Sequence, residues 1–358
     1  MGITVKFKSA VLTASAIIGA VTVLLLSGEI RQGVIKGLSL SFSAVIPSLF
    51  LFTAAALFII KSGASRQLGR LVSPVTRPII GLDFEQSTVF LISSIAGYPI
   101  GARLLNTLYQ DGKISRAKAL KMLMFSINAG PAFIITTVGE CFLKSRGDGI
   151  RLMVCHLLAS LIIAVTVRFL PDRLFSRDLK IKKQSRLERQ NSALSDIFVL
   201  STAEAGKTML SVTVFVVFFA GVGGGLSAFD FPGINLIKAL LEVTSGLADI
   251  TRQKLPLAAF LLGFGGISVI FQVISSAEQL KPKFTVIFLS RLVHGTISAL
   301  LIITAEILFP RNLATGSFNQ RPDSLSVHTS PISAISLLIL CLTVLFFIGS
   351  SAKQNKFD

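Results

Sequence analysis

Apolar runs long enough to cross a bilayer dominate this chain, and two of them are broken in the middle. Six stretches, 9–27, 41–60, 119–143, 150–170, 207–229 and 284–309, have the roughly 20 mostly apolar residues that a helix needs to cross a hydrocarbon core about 30 Å thick. A seventh, 332–349, is slightly shorter. Two others, 87–109 and 255–277, are as apolar but interrupted by Gly97-Tyr98-Pro99-Ile100-Gly101 and by Gly263-Phe264-Gly265-Gly266. Both read as re-entrant hairpins that enter and leave on one side. Since lipid offers the backbone no hydrogen-bond partners, runs of this length point to an all-α polytopic membrane protein.

Charge supports this reading. Only 15% of the 358 residues are charged, against about 25% in soluble domains. The net charge of +17 falls between the apolar runs, so it orients the chain in the lipid bilayer and does not mark a nucleic-acid partner. With the N-terminus inside and both broken stretches re-entrant, 21 of the 35 Lys and Arg lie inside and 12 outside, with Arg103 and Arg291 within membrane segments. Full crossings at both breaks would instead put the cluster from Lys113 to Lys121 outside. The expected location is the bacterial cytoplasmic membrane, N-terminus inside. Lys6 and Lys8 precede a run longer than a signal-peptide core, with no small-x-small site close behind, which predicts a retained helix. Cys141, Cys155 and Cys341 all fall in apolar stretches without metal-ligand spacing, so neither a disulfide framework nor a zinc site is expected.

Sliding the sequence on itself by about 165 residues superposes three blocks in one order. Residues 46–50 and their helix fall on 211–219, the break at Gly97 falls on that at Gly263, and 119–143 falls on 284–308. With 41–60 running inward and 207–229 outward, the two units have opposite orientation, a plan that secondary transporters use for alternating access. The expected organisation is an N-terminal helix and connector at 1–40, a first repeat with an extra helix at 41–170, a basic linker at 171–206, a second repeat at 207–309, and a loop with a final helix at 310–358.

Backbone that leaves helical geometry inside a membrane must be buried in protein or line a wet cavity, so a ligand site belongs at the breaks. In the first, Gly97 and Gly101 permit tight turns, Tyr98 and Pro99 lie between them, and Arg103 needs an anion, a carbonyl or water. In the next helix, Asn128-Ala129-Gly130-Pro131 sits mid-span, and Pro131 has no N–H for the carbonyl of Ile127. The second unit offers Gly265, Gly266, Ser268 and Gln272, followed by Arg291 and His294 on one helix face. Glu242 and Glu306 are both candidate partners for Arg291. Weaker signals are a P-loop-like string from Ser201 to Thr208 that lacks a glycine, a Gly221/Gly225 spacing suited to helix packing, and a lone His156 read as structural. No paired carboxylates, histidine pattern or nucleophile elbow suggests an enzyme, and no cofactor is implied.

The succession of residues 46–50, Gly97-Tyr98-Pro99-Ile100-Gly101-Ala102, Asn128-Ala129-Gly130-Pro131-Ala132-Phe133, Glu242-Val243-Thr244-Ser245-Gly246 and 263–268 with Gln272 resembles the YlbJ-type sporulation integral membrane proteins, within the group carrying the nucleoside recognition (Gate) domain. Gate domains are similar to the repeats of concentrative nucleoside transporters. The resemblance implies a fold of two inverted repeats, each with a broken re-entrant hairpin, and a role in a sporulation-stage membrane. The chain departs from the ferrous-iron transporters of the same group in having no cysteine at either break. Two functions are then expected as alternatives: a secondary transporter or permease for a small polar or anionic solute, or a non-transporting scaffold for spore-envelope assembly. A homo-oligomer is compatible with either.

Overall fold

The structure is a computed structural model that describes residues 2–175, 193–248 and 254–310. The expected span 332–349, residues 176–192 of the expected linker and Cys341 lie outside the described residues. Every regular element among the described residues is a helix. Helix α1 (Gly2–Leu25) leads into α2 (Ser27–Leu40), a π turn (Ser41–Val45) and α3 (Ile46–Lys61), the last three forming one 35-residue apolar span. Helix α4 (Ser65–Ile80) meets α5 (Phe84–Ala96) at 94°, and α6 (Tyr98–Gln110) follows α5 across Gly97. Next come α7 (Arg116–Leu123), a π-helical segment (Ala132–Phe142) and α8 (Arg146–Arg168). The second half holds α9 (Leu194–Leu226), α10 (Ile234–Leu241), α11 (Val243–Ala248), α12 (Leu255–Phe264), α13 (Gly266–Ser276) and α14 (Phe284–Leu308). Five of these stretches are long and apolar enough to cross a membrane, or six if α4 and α5 are taken as one bent span.

Local chemistry explains the boundaries. Asp83 and Gln86 close a capping box at the start of α5, and the Ser115 and Ser145 hydroxyls accept the Lys118 and Asp148 N–H groups at the starts of α7 and α8. Proline occupies the first turn of α3, α6 and α12, where its missing N–H costs nothing. The long spans α2 and α9 pack through small residues. A Cβ on Gly33 would lie 2.3 Å from the Ala220 carbonyl oxygen, so only glycine permits the approach. Gly221 and Gly225 serve the same contact, against Ile30.

The first broken stretch is a hairpin. A Cβ on Gly101 would come within 2.9 Å of the Ser93 Cβ and 1.9 Å of the Ser126 carbonyl oxygen, an approach that a straight helix forbids for residues eight apart. At the other end of the hairpin, Lys113 Nζ meets Glu85 Oε1 at 3.6 Å. Gly97 makes the turn at φ 98°, a conformation open to glycine.

The second broken stretch departs from the expected hairpin. Despite φ values of 79° and 80° at Gly265 and Gly266, α12 and α13 continue one another as a single 22-residue candidate span. Their ends fix its direction. The Gln279 and Leu280 N–H groups donate to Asn106 Oδ1, and Arg116 donates to the carbonyls of Leu280 and Phe175, so α13 finishes at the basic end where α6 and α8 also finish. Lys254, at the start of α12, shares a cavity with Glu29 and Lys36 at the opposite end. Helix α14 then runs away from the basic end, and the Phe309 carbonyl accepts from Arg151 beside the start of α8. The glycines break the hydrogen-bond ladder without reversing the chain, because α12 and α13 both lie antiparallel along α14, with Phe271 against Phe284 and Phe264 against Phe288.

The expected span 119–143 also differs. Helix α7 ends at Leu123, residues 124–130 are irregular, and Pro131 leads into the π-helical segment. Pro131 cannot continue the α ladder, and Gly130 sits too close to the Ile95 carbonyl to carry a side chain.

Single-cysteine labelling in vesicles with an impermeant maleimide tests the topology. Cysteines replacing Lys113 and Lys283 are expected to react from one side, and one replacing Arg146 from the other. Reaction of Lys283→Cys together with Arg146→Cys would restore the second hairpin.

Candidate functional site

The breaks converge. The Tyr98 hydroxyl, at the hairpin tip, donates to the Leu262 carbonyl of α12 (2.7 Å). Between the hairpin tip, Ala129 and Gly130, the α10–α11 junction and α13 lies a cavity of about 30 Å³ bordered by Tyr98, Pro99, Gly130, Glu242, Thr244 and Gln272. That is room for about one water molecule. The Gln272 amide donates to the Ser268 hydroxyl (3.1 Å), one helical turn earlier, and both side chains are buried. Glu242 is also buried, and its carboxylate accepts the N–H groups of Thr244 (2.9 Å) and Ser245 (2.6 Å). It borders a second, open cavity of about 390 Å³ lined by Glu29, Lys36, Lys238 and Lys254.

Beside the junction lies a fully buried polar cluster. Arg291, on α14, donates from Nη1 to the Ile127 carbonyl and from Nη2 to the Met124 carbonyl. These are oxygens that the 124–130 break frees from helical bonding. The carbonyl that Pro131 leaves free at Ile127 is therefore taken by a side chain of the protein itself, and two main-chain oxygens take the place of the carboxylate partner expected for Arg291. The Ala129 N–H donates to His156 Nε2 (3.1 Å), and His294 Nε2 donates to the His156 carbonyl (3.0 Å). The two imidazoles stack with centroids 4.5 Å apart. Asn128 donates from its amide nitrogen to the Phe125 carbonyl (3.1 Å) and the Ser160 hydroxyl (3.3 Å). Asn128 Oδ1, both imidazole Nδ1 atoms and Arg291 Nε are buried without a partner among the described residues.

Of the residues expected at the site, Tyr98, Pro99, Gly130 and Gln272 line the junction cavity, and Ser268 binds Gln272. Gly97, Gly101, Pro131, Gly265 and Gly266 shape the breaks around it. Asn128, Arg291 and His294 form the adjoining cluster. Arg103 stands apart: it pairs with Glu204 of α9 (3.2 Å), which also binds Lys61, and all three side chains are about one-third exposed.

Residues 42–142, which hold α3, the hairpin and the 124–130 break, match the Gate family, described as nucleoside recognition. The chain carries a Gate segment. It is similar to the sporulation integral membrane protein YlbJ of Bacillus subtilis (strain 168), at 27% identity over 307 residues covering 75% of each chain. No solved structure matches. The Gate segment supplies the hairpin tip and the carbonyls of the break, while Arg291, Gln272 and Glu242 reach them from outside it.

His156, expected to be structural, joins the break to α14 by two hydrogen bonds and a ring stack. Ser160, one turn along α8, had no sequence signal, and Glu204 lies inside the discarded P-loop-like string. Replacing Arg291 by Ala leaves two buried carbonyls without donors, at about 1–3 kcal/mol each. The expected result is a sharply lower melting temperature in detergent, with Arg291→Lys intermediate. Wild-type melting of Arg291→Ala would show that the guanidinium does not hold the break.

Proposed function

We propose that this membrane protein is a secondary transporter or permease for a small polar or anionic solute, with its site where the hairpin tip, the 124–130 break and the broken α12–α13 span meet. One observation carries the reading: Glu242 borders both the open 390 Å³ cavity and the 30 Å³ cavity at the junction. A solute entering from the end that carries Glu29 and Lys254 reaches the broken backbone past one buried carboxylate. The cavity at the junction is narrow, with room for about one water. Passage therefore requires the hairpin tip to part from α12, and the Tyr98–Leu262 hydrogen bond is the contact that must open.

The first helices of the two halves run in opposite directions. Helix α3 ends at Lys61, on a carboxylate in the first third of α9, and the far end of α9 packs beside the start of α2. Thus α3 approaches the basic end and α9 leaves it, an inversion of the first helices of 41–170 and 207–309 that is not carried through to the third block, because 119–142 and α14 both run away from the basic end. The second repeat would then contribute a broken crossing where the first contributes a hairpin. The location that follows is the bacterial cytoplasmic membrane with the N-terminus and the basic end inside, and the likeness to a sporulation integral membrane protein supports a role during sporulation.

The test is uptake of radiolabelled carboxylates, nucleosides and amino acids into proteoliposomes. Accumulation above protein-free vesicles is expected for one class, lowered at least tenfold by Gln272→Ala and by Glu242→Gln in vesicles holding equal amounts of folded protein. Undiminished flux in both variants would remove the junction from the route, and no flux for any class would favour the scaffold.

A further inference from the structure

Helix α4 separates three kinds of surface. At 100° per residue, Ser65, Gly69, Ser73, Thr76 and Ile80 share an arc of about 80°. All five are buried, and they pack on α5: the Ser65 carbonyl accepts from Thr88, and the Thr76 and Ser87 hydroxyls are 2.6 Å apart. Leu71, Val75 and Ile79 form a second arc, exposed at 78%, 61% and 43%. Arg66, Arg70 and Arg77 form the third, within about 40° of one another, and all are exposed. No described carboxylate lies within ion-pair distance of these three arginines.

The backbone adds a constraint. Pro74 and Pro78 have no N–H to give the carbonyls of Arg70 and Pro74, which project on or beside the basic arc. Carbonyls left free in this way are costly in hydrocarbon and acceptable among water and head groups. The 94° turn into α5 lays α4 across the basic end of the bundle. Arg168 fixes it there through the Pro78 and Ile79 carbonyls, and Lys118 through that of Gly81 (2.9 Å). A helix in this plane, with an apolar arc toward acyl chains and a basic arc free of counter-charge, fits the head-group layer.

We infer that α4 is a docking surface for anionic phospholipid, with Arg66, Arg70 and Arg77 binding the phosphate groups while Leu71, Val75 and Ile79 rest on the acyl chains. Binding attaches the α4–α5 corner, and with it the base of the hairpin, to the membrane surface. The inference does not depend on whether a solute crosses.

The test uses the full chain in neutral detergent, with phosphatidylglycerol or phosphatidylcholine added, and follows the apparent melting temperature. Phosphatidylglycerol is expected to raise it over phosphatidylcholine, and 0.5 M NaCl to reduce the rise by screening. The variant carrying Arg66→Gln, Arg70→Gln and Arg77→Gln should match the wild type in phosphatidylcholine and lose at least half of the rise. Arg146→Gln with Arg151→Gln, at the opposite end, should keep it. If the triple variant fails to fold, each single variant should lose a part of the rise. An unchanged rise in the triple or in all three single variants, or an equal rise with inorganic phosphate alone, overturns the assignment.

Discussion

The centre of this protein depends on backbone carbonyls that have left their helix. Between Met124 and Pro131 the chain gives up its ladder, and inside a membrane those oxygens need donors from the protein. Arg291 supplies them with two arms of one guanidinium, and His156 takes the N–H of Ala129 from the other side of the break. A buried charge is expensive by itself, and main-chain dipoles on both arms are what make it tenable here. The hairpin depends on the same arrangement, because Gly101 can lie against the Ser126 carbonyl only while the break holds that shape.

This economy explains the placing of the polar residues. The buried charge and the two imidazoles face the break, and the partly exposed Arg103, Glu204 and Lys61 sit toward the basic end, where water screens them and the ion pair is worth about 0–1 kcal/mol. Glu242 faces an open cavity on one side and the junction on the other, and the N–H groups at the start of α11 satisfy its oxygens. Buried Arg291, Glu242 and the two imidazoles therefore lie beside irregular backbone, whereas the spans α3 and α9 bury small hydroxyls such as Thr53, Ser201 and Thr208.

Much of this was legible before any coordinates. Apolar length located most of the crossings, and Gly97 and Gly265 located the breaks, because only glycine tolerates the backbone found there. Pro131 announced a free carbonyl at Ile127. The direction of the chain after a glycine break was not legible: Gly97 reverses it and Gly265 does not, although both take positive φ. The basic residues near Lys281 and Arg311 were too few to choose between those paths.

The sequence by itself determined which segments live in lipid, where their helices break and which side chains are too polar to face acyl chains, since these follow from solvation and local sterics. Only the tertiary structure decided what the breaks meet. Residues 164 and 167 apart, Arg291 with Ile127 and with Met124, are joined by packing of α14 on α8 and α12. No local preference encodes that pairing, because a freed carbonyl accepts any donor that packing brings within reach.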